Sequence, residues 1–159
     1  MALLDKEPVR RVEKSLKQFD LSMNIITLDS SAKTAKEAAS SLGCKIGAII
    51  KSLLFKTDET FTLFLVSGDK KASLYKIKKI LNIKDASMAS ADDVKNITGY
   101  TIGGVSPVGH LKTIEIFIDN SLDRFKSLYA AAGHPNCVFK TNFKDLQKLT
   151  KGSYKDIIQ

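Results

Sequence analysis

Hydrophobic residues recur along the chain at two spacings, and each spacing predicts a different kind of element. Behind Pro8, four apolar residues follow helical spacing with charges between them, which predicts an amphipathic helix over about residues 8–20. These residues are Val9, Val12, Leu16 and Phe19. Further along, two dense apolar runs rich in β-branched and aromatic residues, 48–56 and 60–67, predict a central hairpin.

Capping signals divide the rest of the chain into short elements. Thr34 and Glu37 form a capping box, and the helix that they begin ends at Gly43 with small residues on its inner side. Further helices are predicted after Gly68-Asp69 (with Leu74, Ile77 and Leu81 buried), from Ser90 to Gly99, and from Asn142 to about Thr150; strands are predicted at 23–28, 113–119, 127–132 and 136–141. Strands and helices are interspersed without a regular βαβ alternation. The pattern therefore predicts a mixed α/β or α+β fold in one domain, 1–159, with a core from about residue 23.

Composition restricts the classes of protein. At 159 residues the chain is long enough for one ordinary core. No apolar run reaches the roughly 18 residues that span a bilayer, and the N-terminus turns acidic early for a secretory signal, so we expect a cytoplasmic protein without a membrane partner. The two cysteines lie far apart and there are only two histidines, so we predict no metal site; no P-loop or Rossmann fingerprint is present, so we predict no cofactor.

The charge balance favours a polyanionic partner. Lys and Arg number 25 against 17 Asp and Glu, which gives a net charge of +8. Such a field attracts nucleic acid first and an anionic membrane surface second. Nearly all of the cations are lysines, which a lysine-rich proteome would also produce, so charge by itself is weak support for RNA binding.

The glycine loop, Thr98 to Gly109, is unlike the rest of the sequence. It holds four glycines and one proline, although the whole chain has only nine glycines and three prolines. Such a loop can hold bare N–H groups rigidly at a surface, where they suit an oxyanion or a phosphate. The alternative is a structural double turn between two strands.

Two single residues carry candidate chemistry. Lys51 interrupts an apolar strand, so it either faces a polar cavity or protects an edge strand from aggregation. His134 lies in a Gly-His-Pro frame after three alanines, which leaves room beside the imidazole; the alternative is an ordinary turn histidine. No serine or cysteine forms a recognisable nucleophile motif with a histidine, so a triad hydrolase is not indicated, and Cys137 is interpreted as a small core residue.

Four segments together resemble one family. They are Thr34-Ala35-Lys36-Glu37-Ala38-Ala39, Ile50-Lys51-Ser52-Leu53, Gly103-Gly104-Val105-Ser106-Pro107 and Ala132-Gly133-His134-Pro135-Asn136. In this order they resemble the YbaK/prolyl-tRNA synthetase-associated domain family, over nearly all of the chain after the first helix. The resemblance implies a compact α/β domain with a mixed, barrel-like sheet. It also implies a trans-editing enzyme that hydrolyses the ester of a mischarged tRNA, typically tRNA(Pro), without a metal or a covalent intermediate.

The resemblance also implies roles for named residues. Lys51 matches the active-site lysine of the family, and Gly103, Gly104, Val105, Ser106 and Pro107 match its Gly-x-x-x-Pro loop. Lys51, Gly104, Val105, Ser106 and His134 would bind the substrate, with His134 helping to set side-chain selectivity. The implied partners are the tRNA acceptor end and a prolyl-tRNA synthetase.

Other functions stay open at this stage. One alternative is a non-catalytic tRNA- or synthetase-binding module of the same fold, and another is a hydrolase of some other small acyl ester. The amino acid removed is also open among alanine, serine, threonine, cysteine and 2-aminobutyrate.

Overall fold

A computed structural model describes residues 2–30 and 32–159. Its α-helices are α1 (Glu7–Phe19), α2 (Ala35–Leu42), α3 (Leu74–Leu81), α4 (Ala91–Thr98) and α5 (Phe143–Thr150). Its strands are β1 (Ile25–Thr27), β2 (Ile49–Thr57), β3 (Thr60–Ser67), β4 (Ala86–Met88), β5 (Glu115–Asp119), β6 (Leu128–His134), β7 (Cys137–Thr141) and β8 (Ser153–Lys155). Short 3-10 helices cover Leu3–Asp5, Ile46–Ala48 and Asn120–Arg124.

The strands form one mixed, curled sheet in the order β1-β7-β6-β2-β3-β5-β8. The β2–β3, β6–β7 and β1–β7 pairs are antiparallel, whereas β2–β6, β3–β5 and β5–β8 are parallel. Strand β4 pairs with the far end of β2, on the edge that β2 also offers to β6. The predicted mixed α/β fold with a barrel-like sheet is therefore confirmed.

Alternation along the central hairpin separates two apolar cores. Leu63 and Leu65 of β3 face the main core, which α1, α4 and α5 close with Val9, Val12, Leu16, Val94 and Leu146. Phe64 and Val66 face the other side, where Ile77 of α3 packs. A strand whose residues are apolar on both faces is expected where helices cover both sides of a sheet.

Local capping explains where the helices begin and end. The hydroxyls of Thr34, Ser73 and Ser90 accept the backbone N–H three residues on, and the Asn142 side chain does the same for α5. Helices α2 and α4 end at Gly43 and Gly99, both in the left-handed region. The predicted helix ends at Gly43 and Gly99 are thus observed. Of the predicted capping box, the bond from the Glu37 N–H to the Thr34 hydroxyl is present, whereas the Glu37 carboxylate accepts from the Thr34 hydroxyl and not from the Thr34 N–H.

Two details of the sequence prediction are wrong. Leu74 was predicted to be buried but is exposed at 46% of its surface, because it is the first residue of α3 and lies away from the core. Strands β4 and β8 were not predicted, since three residues are too short to show a periodicity.

Within the described residues, no helix combines the length and the apolar character needed to cross a membrane.

Candidate functional site

A cavity of about 360 Å³ lies beside β2, where this strand changes partner. Ile49 and Ile50 pair with β6, and the pairing with β4 begins at Phe55. Residues from both neighbouring strands, Ala130 and Met88 among them, line the cavity together with the stretch of β2 between the two pairings. The site is therefore a gap in the sheet, with the hairpin partner β3 as its intact side.

The wall of the cavity is mostly apolar and has few polar groups. Among the described residues, its polar side chains are Lys33, Thr34, Lys51, Ser52, Tyr129 and His134. No carboxylate is among these side chains, so the fixed charge inside is positive. A mainly apolar wall with a few placed polar groups is the usual composition of a small-molecule site.

Lys51 lines this cavity from the middle of β2. It is half-buried, and its Nζ donates a hydrogen bond to the carbonyl of Lys70. Burial lowers the pKa of Lys51, Asp69 opposes this shift, and the charge of Lys71 adds to it. Lys51 lies in the stretch of β2 between the pairings with β6 and β4 and is part of the cavity wall, which favours the cavity interpretation of this lysine over edge protection. The ammonium keeps two N–H groups beyond the one that Lys70 accepts.

The glycine loop reaches the same cavity with only part of its length. Gly103 and Val105 line the cavity, whereas Gly104, Ser106 and Pro107 are buried in the loop behind them. Of the five loop residues expected to be catalytic, two therefore reach the cavity wall, and the role of the loop toward a substrate stays a prediction. Ser106 is fully buried, and its hydroxyl accepts a hydrogen bond from the N–H of Val108 at 3.3 Å. A tight turn of this kind must turn some residues inward.

Some backbone N–H groups of the loop are hydrogen-bonded within the chain, and others have no acceptor in the part that the structure describes. The N–H of Gly104 donates to the carbonyl of Thr101 at 2.9 Å, so it is not bare as predicted. Within the described residues, the N–H groups of Gly103 and Val105 donate to no other group of the chain. Both residues line the cavity, as does Ile102, whose N–H also has no acceptor among the described residues, so these three amides are the loop's available donors.

His134 is the last residue of β6 and lies next to the glycine loop. Its Nδ1 accepts the backbone N–H of Asn136 at 3.0 Å, and burial, together with the charge of Lys6, lowers its pKa. The neutral ring then carries its proton on Nε2. The loop lies directly against this strand end, because the N–H of Gly133 donates to the carbonyl of Gly104 at 3.0 Å.

Ser52 is a cavity residue that the sequence analysis missed. Its hydroxyl is buried and, within the described part of the chain, has no hydrogen-bond partner. The available signal was a second polar residue directly after Lys51 in an otherwise apolar strand. Because Ser52 lines the cavity, this hydroxyl is a candidate hydrogen-bonding group for a bound ligand.

The structure thus brings Lys51, Gly103, Val105 and His134 to one cavity. The cavity therefore combines a residue of β2 with two residues of the glycine loop, about fifty positions further along the chain, and with the last residue of β6.

Comparison with known proteins identifies relatives over most of the chain. A sequence model described as an aminoacyl-tRNA editing domain matches residues 29–149. The Bacillus subtilis protein YwhH, which is described as uncharacterized, is 29% identical over 143 residues, with 89% of this chain and 90% of that protein covered. A proline–tRNA ligase of Caldicellulosiruptor bescii is 30% identical over 128 residues, which are 75% of this chain but 22% of the ligase.

Solved structures agree with this grouping. A crystal structure described as a candidate trans-editing enzyme for prolyl-tRNA synthetase superposes with a TM-score of 0.90 at 33% identity. The superposition covers 97% of this chain and 98% of the chain in that crystal structure. The chain spans about a fifth of the length of the proline–tRNA ligases that it matches.

Proposed function

Because the chain belongs to the aminoacyl-tRNA editing domain family, we propose that it hydrolyses the ester bond of a mischarged tRNA that carries a small amino acid. The relatives named for proline–tRNA ligase favour tRNA(Pro) as the tRNA, and the place of action would be the cytoplasm. The observation that carries the proposal is the cavity shared by Lys51, Gly103 and Val105.

The cavity is large enough to hold a small aminoacyl group. Its volume of about 360 Å³ lies at the lower end of the roughly 300–1,000 Å³ found for ligand sites. The terminal adenosine would remain at the mouth, where Met88 and Ile102 are exposed at 57% and 64%. Removal of one methylene changes binding by only about 1–3 kcal/mol, so larger side chains would have to be excluded by contact with the wall.

The available amides would act on the developing charge. In ester hydrolysis, water attacks the carbonyl carbon and the carbonyl oxygen becomes an oxyanion. When the carbonyl re-forms, the bond from its carbon to the ribose oxygen breaks, and that oxygen takes up the proton that the water has lost. The N–H groups of Gly103 and Val105 are suited to donate to that oxygen, and one such donor is worth roughly 3 kcal/mol in the transition state. An aminoacyl ester is already activated, so positioning and electrostatics can account for much of the acceleration.

The charged and polar side chains would orient the substrate. Lys51 would leave the Lys70 carbonyl, or use its remaining N–H groups, to hold the terminal phosphate or the ester region. His134 would offer its Nε2 proton to the aminoacyl group or the ribose. The lysine-rich surface would follow the acceptor stem, because the chain carries a net charge of +8.

The test is release of labelled amino acid from tRNA(Pro) charged with alanine, serine, threonine, cysteine or 2-aminobutyrate. Lys51→Ala should lower turnover about a hundredfold, as expected for loss of a group that touches the reacting region. Lys56→Ala is the matched control, because Lys56 lies on the same strand but is exposed and outside the cavity. Wild-type protein that binds tRNA in a salt-dependent way but releases no amino acid would instead support a non-catalytic binding module.

A further inference from the structure

One side chain of α1 holds both ends of the glycine loop. The Nε of Arg11 donates to the carbonyl of Gly109 at 2.9 Å, and its Nη2 donates to the carbonyl of Thr98 at 3.2 Å. Its Nη1 pairs with Glu7, one turn earlier in the same helix. A planar guanidinium can serve two carbonyls and a carboxylate together because its N–H groups point in fixed directions.

Tyr100 completes the base of the loop. Its hydroxyl lies 2.7 Å from the carbonyl of Val108 and 3.0 Å from that of Gly109, and its ring lies 4.6 Å below the guanidinium carbon of Arg11. Burial raises the pKa of Tyr100 to about 12, so the phenol keeps its proton across the neutral range. The two ends of the loop are therefore fastened by one cation and one phenol.

The glycines at the ends of the loop leave room for these two side chains. A Cβ at Gly99 would lie 2.5 Å from Nη2 of Arg11, and a Cβ at Gly109 would lie 2.5 Å from the Tyr100 hydroxyl. Both glycines also have positive φ, +79° and +76°. The unusual glycine content of this stretch is thus explained at its ends by the packing of Arg11 and Tyr100.

Helix α1 also touches the other wall of the cavity. A Cβ at Gly133, beside His134, would lie 2.8 Å from the carbonyl carbon and oxygen of Pro8. Yet α1 ends at Phe19, before residue 29, where the match to the editing-domain model begins. The helix outside the matched region therefore braces both loop ends and the strand end next to them.

We propose that Arg11 is a positioning residue for the deacylation proposed above, on which this inference rests. By tying Thr98 to Gly109, the guanidinium removes the freedom of the loop ends and holds the amides of Gly103 and Val105 at a fixed distance from the cavity. Arg11 does not line the cavity itself. Misplacement of a catalytic group by about 1 Å can cost roughly a hundredfold in rate, so loosening of the loop should lower kcat more than it raises KM.

The experiment compares Arg11→Met and Arg11→Lys with the control Arg10→Met, since Arg10 is the exposed neighbour on the same helix. We expect Arg11→Met to lower kcat about tenfold to a hundredfold, with KM within about twofold of wild type. Arg11→Lys should be intermediate, because an ammonium lacks the planar fork. Arg10→Met should match wild type.

Amide hydrogen exchange over residues 99–109 provides a readout that does not depend on activity. Faster exchange of this segment in both Arg11 variants, but not in Arg10→Met, would support the tie even if wild type proved to have no deacylase activity, in which case only the proposed function fails. If Arg11→Met does not fold, Arg11→Lys decides. Wild-type exchange and wild-type kcat in a folded Arg11 variant, or equal losses in the Arg10 control, would overturn the proposal.

Discussion

Gly104→Ala would place a methyl group between the glycine loop and the end of β6. A Cβ at Gly104 would lie 3.0 Å from the backbone nitrogen of His134 and 3.1 Å from both its Cα and the carbonyl carbon of Gly133. These atoms are all backbone, so no side chain can rotate away to make room. Gly104 also lies outside the left-handed region, so the substitution adds a steric contact without a backbone penalty.

The contact sets the size of the expected shift. The shortest distance is about 0.4 Å less than the 3.4 Å at which ordinary contact begins, so the loop and the end of β6 must separate by at least that amount. The separation also stretches the hydrogen bond from Gly133 to Gly104, 3.0 Å in the native chain. Overpacking of this kind costs about 1–3 kcal/mol in stability. A hundredfold loss per about 1 Å of misplacement gives a several-fold to tenfold fall in kcat.

The assay pairs single-turnover deacylation with urea unfolding for Gly104→Ala and for Gly43→Ala. Gly43 has φ +68° and nothing within 4 Å of its added Cβ, so its substitution produces backbone strain alone, about 1–2 kcal/mol. We expect both variants to lose stability but only Gly104→Ala to lose activity. A wild-type rate in Gly104→Ala, or an equal loss in Gly43→Ala, would refute the claim that contact between the loop and β6 sets the geometry of the site.

Three further predictions follow from the same cavity and its surroundings. Ser52→Ala should reduce any preference for seryl over 2-aminobutyryl esters about threefold to tenfold, since the hydrogen bond that Ser52 would make to the seryl hydroxyl is lost. Thr141→Val, which changes a buried unpaired hydroxyl outside the cavity, should leave this preference unchanged. Competition between the two esters measures the preference, and equal selectivity in both variants would contradict the prediction. Burial lowers the pKa of His110, which faces the Ser106 carbonyl and the charge of Arg11, so the unfolded chain binds a proton at higher pH than the folded one. The contribution of His110 to stability should therefore be constant above about pH 6.5 and fall as the pH drops below it. Thermal unfolding of His110→Asn from pH 5 to 8 should show a weaker fall than that of the wild type; an unchanged fall would contradict this assignment. Binding of uncharged tRNA should weaken steeply with salt, with log K linear in log salt concentration; a flat plot would exclude the lysine-rich surface from tRNA binding.

Much of the secondary structure could be predicted because it depends on neighbours in the chain. The capping box at Thr34 and the left-handed ends at Gly43 and Gly99 use groups within three or four residues, so the pattern is visible in the sequence. Strands β4 and β8 could not be predicted, because three residues acquire a strand conformation only from the partner along which they lie. The exposure of Leu74 likewise depends on where the second core ends.

The sequence by itself determined which residues could carry chemistry: a lysine in an apolar strand, a loop rich in glycine and a histidine between glycine and proline. Only the tertiary structure decided that Gly103 and Val105 face the cavity while Gly104, Ser106 and Pro107 turn inward. It alone revealed the unpaired hydroxyl of Ser52 and the tie from Arg11 to residues almost a hundred positions away. The physical reason is that residue type and local hydrogen bonding are properties of short segments, whereas a cavity forms where a sheet changes partners, and that depends on the packing of the whole chain.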